Sequence, residues 1–161
     1  QEKRNIENGK LVLQQTFDPE GNPLNDLIYI NGKKNGREVT SEERMTQINR
    51  YKDGLQDGLQ EGFENGQLTT RRNFKDGKID GLLEWFHTDG WLFMRRNFKD
   101  GKEEGLREVF FENGQLRNRE NYKNGKKDGI SESYKENGSK WSFSPQCYKE
   151  DEETKMSYCE D

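Results

Sequence analysis

Long hydrophobic runs are missing from this chain of 161 residues, and no apolar segment of about 18 residues is present that could cross a bilayer. One histidine and two cysteines offer little for acid–base catalysis or a zinc site, so we expect no enzyme activity, no metal and no cofactor. The hydrophobic fraction of 27% is too low for a thick two-layer core. A net charge of −4, without a dense basic cluster, predicts no nucleic-acid partner and argues against membrane association.

Aromatic residues, in contrast, make up 11% of the chain, which is unusual for a disordered polypeptide. They recur at a fixed period: segments of the form aromatic-Lys-Asp/Asn-Gly begin at Tyr51, Phe74, Phe98 and Tyr122, which are 23, 24 and 24 residues apart. The repeats divide a single domain, 1–161, into the following units: 1–28 (N-terminal cap or degenerate repeat), 29–50 (degenerate repeat), 51–73, 74–97, 98–121 and 122–144 (repeats), and 145–161 (C-terminal cap or tail).

Each unit contains two glycine turn signals separated by residues of alternating polarity. The runs 82–86 and 92–98 both alternate with period two, which is typical of β-strands. We expect Leu82 and Phe86 to share one apolar face with Met94 and Phe98, and the opposite face to be charged. The predicted fold class is therefore all-β: an elongated single-layer antiparallel sheet, or β-solenoid, of stacked β-hairpin repeats.

The segments 73–82 (NFKDGKIDGL) and 111–116 (FENGQL) resemble the bacterial variant of the MORN repeat, and the resemblance covers about residues 29–144. Proteins similar to this one are often classed as YwqK-type antitoxins. MORN arrays are implicated in protein binding and, less securely, in membrane association. The resemblance thus implies a binding role and names no specific partner.

Two columns of opposite charge recur at fixed strand positions. Cross-strand neighbours of this kind form ion pairs, so one interpretation is a solvated charge ladder. The other is a positive surface, with Arg72, Arg96 and Arg117 included, that meets an acidic partner or phosphate. The columns are Glu61, Glu84, Glu108 and Glu132, and Arg71, Arg95 and Arg119.

The central unit places large apolar residues where the other units are polar. Exposed aromatic clusters mark interaction surfaces, so we expect a partner-binding patch flanked by the three arginines of the charge column. Internal packing or self-association is the alternative. The patch residues are Leu83, Trp85, Trp91 and Phe93, flanked by Arg71, Arg95 and Arg119. His87 precedes a turn glycine and is expected to be a solvated turn residue rather than a catalytic base.

Cys147 and Cys159 are either a disulfide or two free thiols. The chain starts with Gln1 instead of Met, and we expect an exported, periplasmic or envelope protein in preference to a cytoplasmic one. The leading functional hypothesis is a non-enzymatic protein-binding scaffold, such as an antitoxin or immunity protein that occludes a toxin or effector. The alternative is an exported or envelope-associated structural protein that associates with itself.

Overall fold

A computed structural model describes residues 2–21 and 24–160 of the chain. Fifteen strands form one sheet in which neighbours along the chain pair antiparallel, with the short β6 paired to β5 beside the main path. This confirms the predicted single-layer sheet of stacked hairpins. The strands are β1 Glu2–Glu7, β2 Lys10–Thr16, β3 Asp26–Ile30, β4 Lys33–Glu42, β5 Met45–Lys52, β6 Leu55–Gln56, β7 Gly58–Glu64, β8 Gln67–Lys75, β9 Lys78–Phe86, β10 Leu92–Lys99, β11 Lys102–Phe110, β12 Leu116–Lys123, β13 Lys126–Ser133, β14 Gln146–Lys149 and β15 Glu152–Thr154.

The tight turns follow from the Asp-Gly and Asn-Gly pairs. Asp100 and Gly101 have φ angles of 50° and 84°, the two positive values that a type I′ hairpin turn requires. Each turn is also attached to the preceding unit: the Asp100 N–H donates to a carboxylate oxygen of Asp80 at 3.1 Å, and the Gly101 N–H donates to the Ile79 carbonyl at 2.8 Å. The hydrogen bond from the Asp100 N–H lowers the pKa of Asp80. Successive turns therefore stack along one edge of the sheet.

The aromatic residue that opens each of the four regular repeats, and Tyr148 after them, lies opposite a glycine of the preceding unit. Gly81, opposite Phe98, has φ 105°, a conformation that other residues rarely adopt. The guanidinium of Arg96 lies 5.4 Å from the centre of the Phe98 ring, so the exposed side of the ring is covered by a cation. The pairs are Tyr51 with Gly36, Phe74 with Gly58, Phe98 with Gly81, Tyr122 with Gly105, and Tyr148 with Gly129.

One expectation about the two faces is wrong. The register pairs Leu92 with Phe86 but Met94 with Trp85, because Phe93 is an extra residue at a β-bulge. A one-residue shift moves every following side chain to the other face. The front face, as we name it, therefore carries Leu83, Trp85, Met94, Arg96 and Phe98, and the back face carries Leu82, Glu84 and Arg95. The same kind of bulge occurs on β12: Phe110 pairs with Leu116 and Val109 pairs with Asn118, so Arg117 is the extra residue.

The core is thin, as the low hydrophobic content predicts. Among the residues that the structure describes, the buried apolar side chains are Leu27, Leu83, Met94 and Cys147. Buried polar side chains outnumber them among the described residues, for example Asn49, whose amide oxygen accepts a hydrogen bond from Gln60 at 2.6 Å. Side-chain hydrogen bonds and ion pairs on both faces thus supplement the small apolar core.

Residues after 145, expected to be a cap or tail, continue the sheet. β14 pairs with β13, and β15 pairs with β14 through a tight turn at Glu150–Asp151. Beyond the 3₁₀-helix Met156–Tyr158, Cys159 forms a disulfide with Cys147, and the Tyr158 hydroxyl lies 3.2 Å from both carboxylate oxygens of Asp128.

At the other end, the N-terminal region contributes β1, β2 and β3 to the same sheet. Gln1, Pro23 and Asp161, on which the expectations for the two ends partly rest, lie outside the described residues. Within the described ranges, no helix is long and apolar enough to cross a membrane.

Candidate protein-binding surface

The two charge columns of the sequence form one row across the back face. The register places glutamate and arginine alternately on seven successive strands, β7 to β13. Carboxylate–guanidinium distances along the row include 3.7 Å for Glu61–Arg71, 3.5 Å for Arg71–Glu84 and 3.9 Å for Arg119–Glu132. The row ends where Lys140 contacts Glu132 at 2.6 Å. The structure therefore forms the predicted ladder of cross-strand ion pairs.

Glu108 is the most enclosed member of the ladder. Its carboxylate accepts hydrogen bonds from Arg95 at 2.5 Å and Arg119 at 3.2 Å, and its side chain is only 6% exposed. Burial opposes ionisation, but the two guanidinium groups outweigh it and hold the pKa of Glu108 below its usual value. At the end of the row, the hydrogen bond from Lys140 lowers the pKa of Glu132.

The patch predicted from the central unit is divided between the two faces. Arg71, Arg95 and Arg119 belong to the back-face ladder, whereas Leu83 and Trp85 pair with front-face residues. The physical reason is a bulge in each of the three strands, at Thr69, Phe93 and Arg117, which the alternation of the sequence does not reveal. These arginines therefore do not flank the aromatic residues, and their charge faces glutamates of the ladder.

The aromatic residues of that patch also separate. Leu83 is buried, and the Trp85 ring lies 5.7 Å from the guanidinium of Arg96. Trp91 instead stacks on His87 with ring centres 5.1 Å apart and meets Phe93 edge-on at 6.0 Å. This second cluster is at the loop between β9 and β10. The predicted patch is thus divided: Leu83 is buried, Trp85 is half-buried on the front face, and Trp91 and Phe93 belong to the loop cluster, in which Phe93 is exposed.

His87 lies in that exposed loop, as expected, with its Nδ1 atom 2.9 Å from the Asp89 carboxylate. Its ring is partly covered by Trp91. No group of three or more histidine, cysteine, aspartate or glutamate side chains is arranged to hold a metal ion within the described part of the chain.

An uncharged row crosses the front face, in a chain of which 36% is charged. We call this row the trough; it runs across nine neighbouring strands, β4, β5 and β7 to β13. Between β5 and β9 the trough borders a small groove of 130 Å³, whose lining includes Gln47, Gly62, Trp85 and the neighbouring Arg72. The trough residues are Thr40, Gln47, Gly62, Thr70, Trp85, Met94, Val109, Asn118 and Ser133.

At its β13 end the trough opens into a groove of 300 Å³, which we call the aromatic groove. The loop after β13 forms one wall: the Trp141 N–H donates to the Ser133 carbonyl at 3.0 Å, and the Ser144 hydroxyl oxygen accepts from the Ser133 N–H at 2.9 Å. The rings of Trp141 and Phe143 stack with centres 6.0 Å apart, although their side chains stay 44% and 56% exposed. The groove is lined by Phe111, Arg117, Asn118, Ser133, Tyr134, Trp141 and Phe143.

Sequence reasoning missed Trp141 and Phe143. They lie at the end of the last repeat, 122–144, where the apolar alternation of the other units is not continued, so nothing in the repeat pattern places them beside Ser133. The signal that was present is a Trp-Ser-Phe triplet in an otherwise polar loop, because adjacent exposed aromatic residues are a feature of interaction surfaces.

Comparison with known proteins identifies the repeat. Residues 79–100 and 103–124 each match the family model described as MORN repeat variant. No curated protein matches the chain. Two solved structures resemble it in part: a crystal structure of TarM (17% identity, TM-score 0.38, 77% of this chain and 21% of that one) and a mutant S. aureus TarM in complex with Fondaparinux, alpha-GlcNAc-glycerol and UDP (15% identity, TM-score 0.34, 79% and 21%).

The chain thus spans about a fifth of the length of each TarM chain that it resembles. MORN repeats are in general protein- or membrane-binding repeat motifs. In this chain the two matched segments cover the strands from β9 to β12, which carry the ladder on the back face and the trough on the front face. The protein therefore contains MORN-variant repeats, at residues 79–100 and 103–124.

Proposed function

We propose that this protein is a non-enzymatic scaffold whose front face binds another protein. The observation that carries the proposal is the trough, an uncharged row on the front face, whereas the back face carries a row of alternating glutamates and arginines. A partner that covers the trough desolvates amide, hydroxyl and apolar groups there, and the arginine beside it, Arg96, is already paired with the Glu103 carboxylate. Covering such a surface leaves few unpaired charges without water, which lowers the cost of burial. MORN repeats supply the general binding role.

The size of the front face suits such a partner. Nine strands about 4.8 Å apart give a width of about 38 Å, and strands of about eight residues give a height of about 26 Å. The resulting area of about 1,000 Å² exceeds the roughly 800 Å² that one partner contributes to a standard interface. A single globular domain can therefore be held by this face without contacts from elsewhere.

The partner class that we propose is a toxin or effector that is inhibited by occlusion, as the resemblance to YwqK-type antitoxins implies. The test is co-expression with the product of the neighbouring reading frame, followed by size-exclusion chromatography of the purified complex. A Thr70→Glu/Val109→Glu variant places two charges in the trough and is expected to abolish the complex. The matched control, Ile30→Glu/Leu106→Glu, adds the same charges at exposed positions of the back face and is expected to retain it.

Retention of the complex by the trough variant, with circular dichroism showing both variants folded, would contradict the proposal. A second candidate function is an exported or envelope-associated scaffold that associates with itself. The Cys147–Cys159 disulfide favours it, because disulfides persist in oxidising compartments. Concentration-dependent oligomers of the purified chain, without a heterologous complex, would support this second candidate instead.

A further inference from the structure

Two cations have no carboxylate within ion-pair distance among residues 2–21 and 24–160: Arg117, which lines the aromatic groove, and Lys135, which lies beside it over the ring of Trp141. Other cations of the front face have polar side-chain partners: Arg96 forms two hydrogen bonds with the carboxylate of Glu103, at 2.9 and 2.5 Å, and Arg72 donates a hydrogen bond to the amide oxygen of Gln60. Arg117 and Lys135 instead lie over aromatic rings, 5.8 Å and 5.1 Å from the ring centres of Phe111 and Trp141. The groove therefore combines exposed rings with positive charge that no described residue neutralises.

Nearby acidic groups do not change this balance. The carboxylate of Glu132 is already bound by Lys140 at 2.6 Å and accepts a hydrogen bond from the Tyr134 hydroxyl at 2.9 Å. Glu112 and Glu136 belong to the loops and do not line the groove. A ligand with negative charge therefore meets no opposing carboxylate in the groove.

The groove floor offers hydrogen-bonding groups suited to a polypeptide. The Asn118 amide donates to the Ser133 hydroxyl at 2.8 Å, which leaves the amide oxygen free to accept a backbone N–H. The floor continues into the uncharged trough. A single-stranded nucleic acid needs positive charge along the whole path of its backbone, and the trough has none. The surface favours an extended peptide with its charge concentrated at one end.

We propose that the aromatic groove binds an extended, acidic segment of a protein partner, with one apolar side chain against Trp141 and Phe143 and its carboxylates at Arg117 and Lys135. The inference rests on the proposed function and names the part of the partner that this end of the front face holds. In the complex each of the two cations forms an ion pair with a carboxylate of the segment. The cation either leaves its aromatic ring to do so or stays between the ring and the carboxylate.

The probe is a short synthetic peptide rich in glutamate with one central leucine, compared with the same peptide carrying lysine in place of glutamate. Isothermal titration calorimetry with the full chain is expected to show binding of the acidic peptide and none of the basic one. Charge reversal in Arg117→Glu/Lys135→Glu is expected to weaken binding at least about tenfold, equivalent to about 1.4 kcal/mol. Added salt is expected to weaken binding to the wild-type chain.

The matched control is Lys52→Glu/Lys102→Glu, which makes the same change of net charge at exposed positions beside the stacked turns and is expected to bind like wild type. Phe143→Ala, at a highly exposed position, provides a second groove variant if the charge reversal unfolds, and it too is expected to bind more weakly. Equal affinity for both peptides, unchanged affinity of both groove variants, or preferred binding of oligouridylate would overturn the inference. Failure of the peptide to bind, while trough charges still abolish the partner complex, overturns this inference alone.

Discussion

Replacing Glu108 with glutamine removes the charge that holds two arginines together at the centre of the back-face ladder. Exposed ion pairs contribute about 0.2–1 kcal/mol each, and breaking a fully buried pair costs about 3–5 kcal/mol. Glu108 is buried, but Arg95 and Arg119 remain 45% and 43% exposed, so about 1 kcal/mol for each pair is the appropriate figure. We expect the free energy of unfolding to fall by about 2 kcal/mol, and the Tm by about 4–8 °C.

Thermal unfolding followed by circular dichroism measures this, and Glu61→Gln is the control. Glu61 ends the acidic column, contacts Arg71 alone at 3.7 Å and is more exposed, so its loss is expected to cost about 0.5 kcal/mol. Equal effects of the two substitutions would refute the idea that enclosure between two arginines strengthens the central pair. A neutral effect of Glu108→Gln would show that the ladder adds no stability.

The same substitution has a characteristic pH dependence. Because the folded protein holds the pKa of Glu108 below 4.5, its charge stabilises the fold above that pH, and the stabilisation is lost as pH falls through the lower folded-state pKa. The difference in unfolding free energy between wild type and Glu108→Gln is therefore expected to be constant from neutral pH to about pH 5 and to shrink in more acidic buffer. A difference that grows on acidification would contradict the assigned direction.

Three further predictions concern other parts of the sheet. Cys147→Ser/Cys159→Ser opens a short loop, worth up to about 3 kcal/mol, and hydrogen exchange is expected to accelerate in β14 and β15 while the central strands stay protected. Gly81→Ala, at a positive φ, is expected to lower the unfolding free energy by about 1 kcal/mol or more in a denaturant titration, whereas Gly62→Ala, whose φ is not positive, is expected to be tolerated. Trp141→Ala is expected to leave the Tm within about 2 °C of wild type, since the side chain is exposed.

The hairpins and the ladder could be predicted from the sequence because both depend on local spacing. Asp-Gly and Asn-Gly pairs specify turns by their φ angles, and glutamate and arginine at a constant period come together across any regular antiparallel array. Which side chains share a face could not be predicted, because the bulge at Phe93 adds one residue to one strand. Bulges of this kind leave no mark in the polarity of the sequence.

The C-terminal strands were missed for a different reason. The turn at Glu150–Asp151 has the two positive φ angles of the other turns, 51° and 77°, but lacks the glycine that marks them in the sequence. Tyr148 nevertheless takes the repeat position opposite Gly129, and this aromatic residue was the available sign that the sheet continues. The aromatic groove was missed because it combines residues of two units, 98–121 and 122–144, with the irregular loop that ends the second unit.

Each aromatic–glycine pair joins two units, since the ring belongs to one repeat and the glycine to the repeat before it. Gain or loss of a whole period leaves every ring facing a glycine, whereas a partial insertion misaligns all the pairs that follow. The array can therefore change length in steps of one hairpin, which alters the front face by about 10 Å for each unit. Relatives with different numbers of units would offer partners surfaces of different width on the same local architecture.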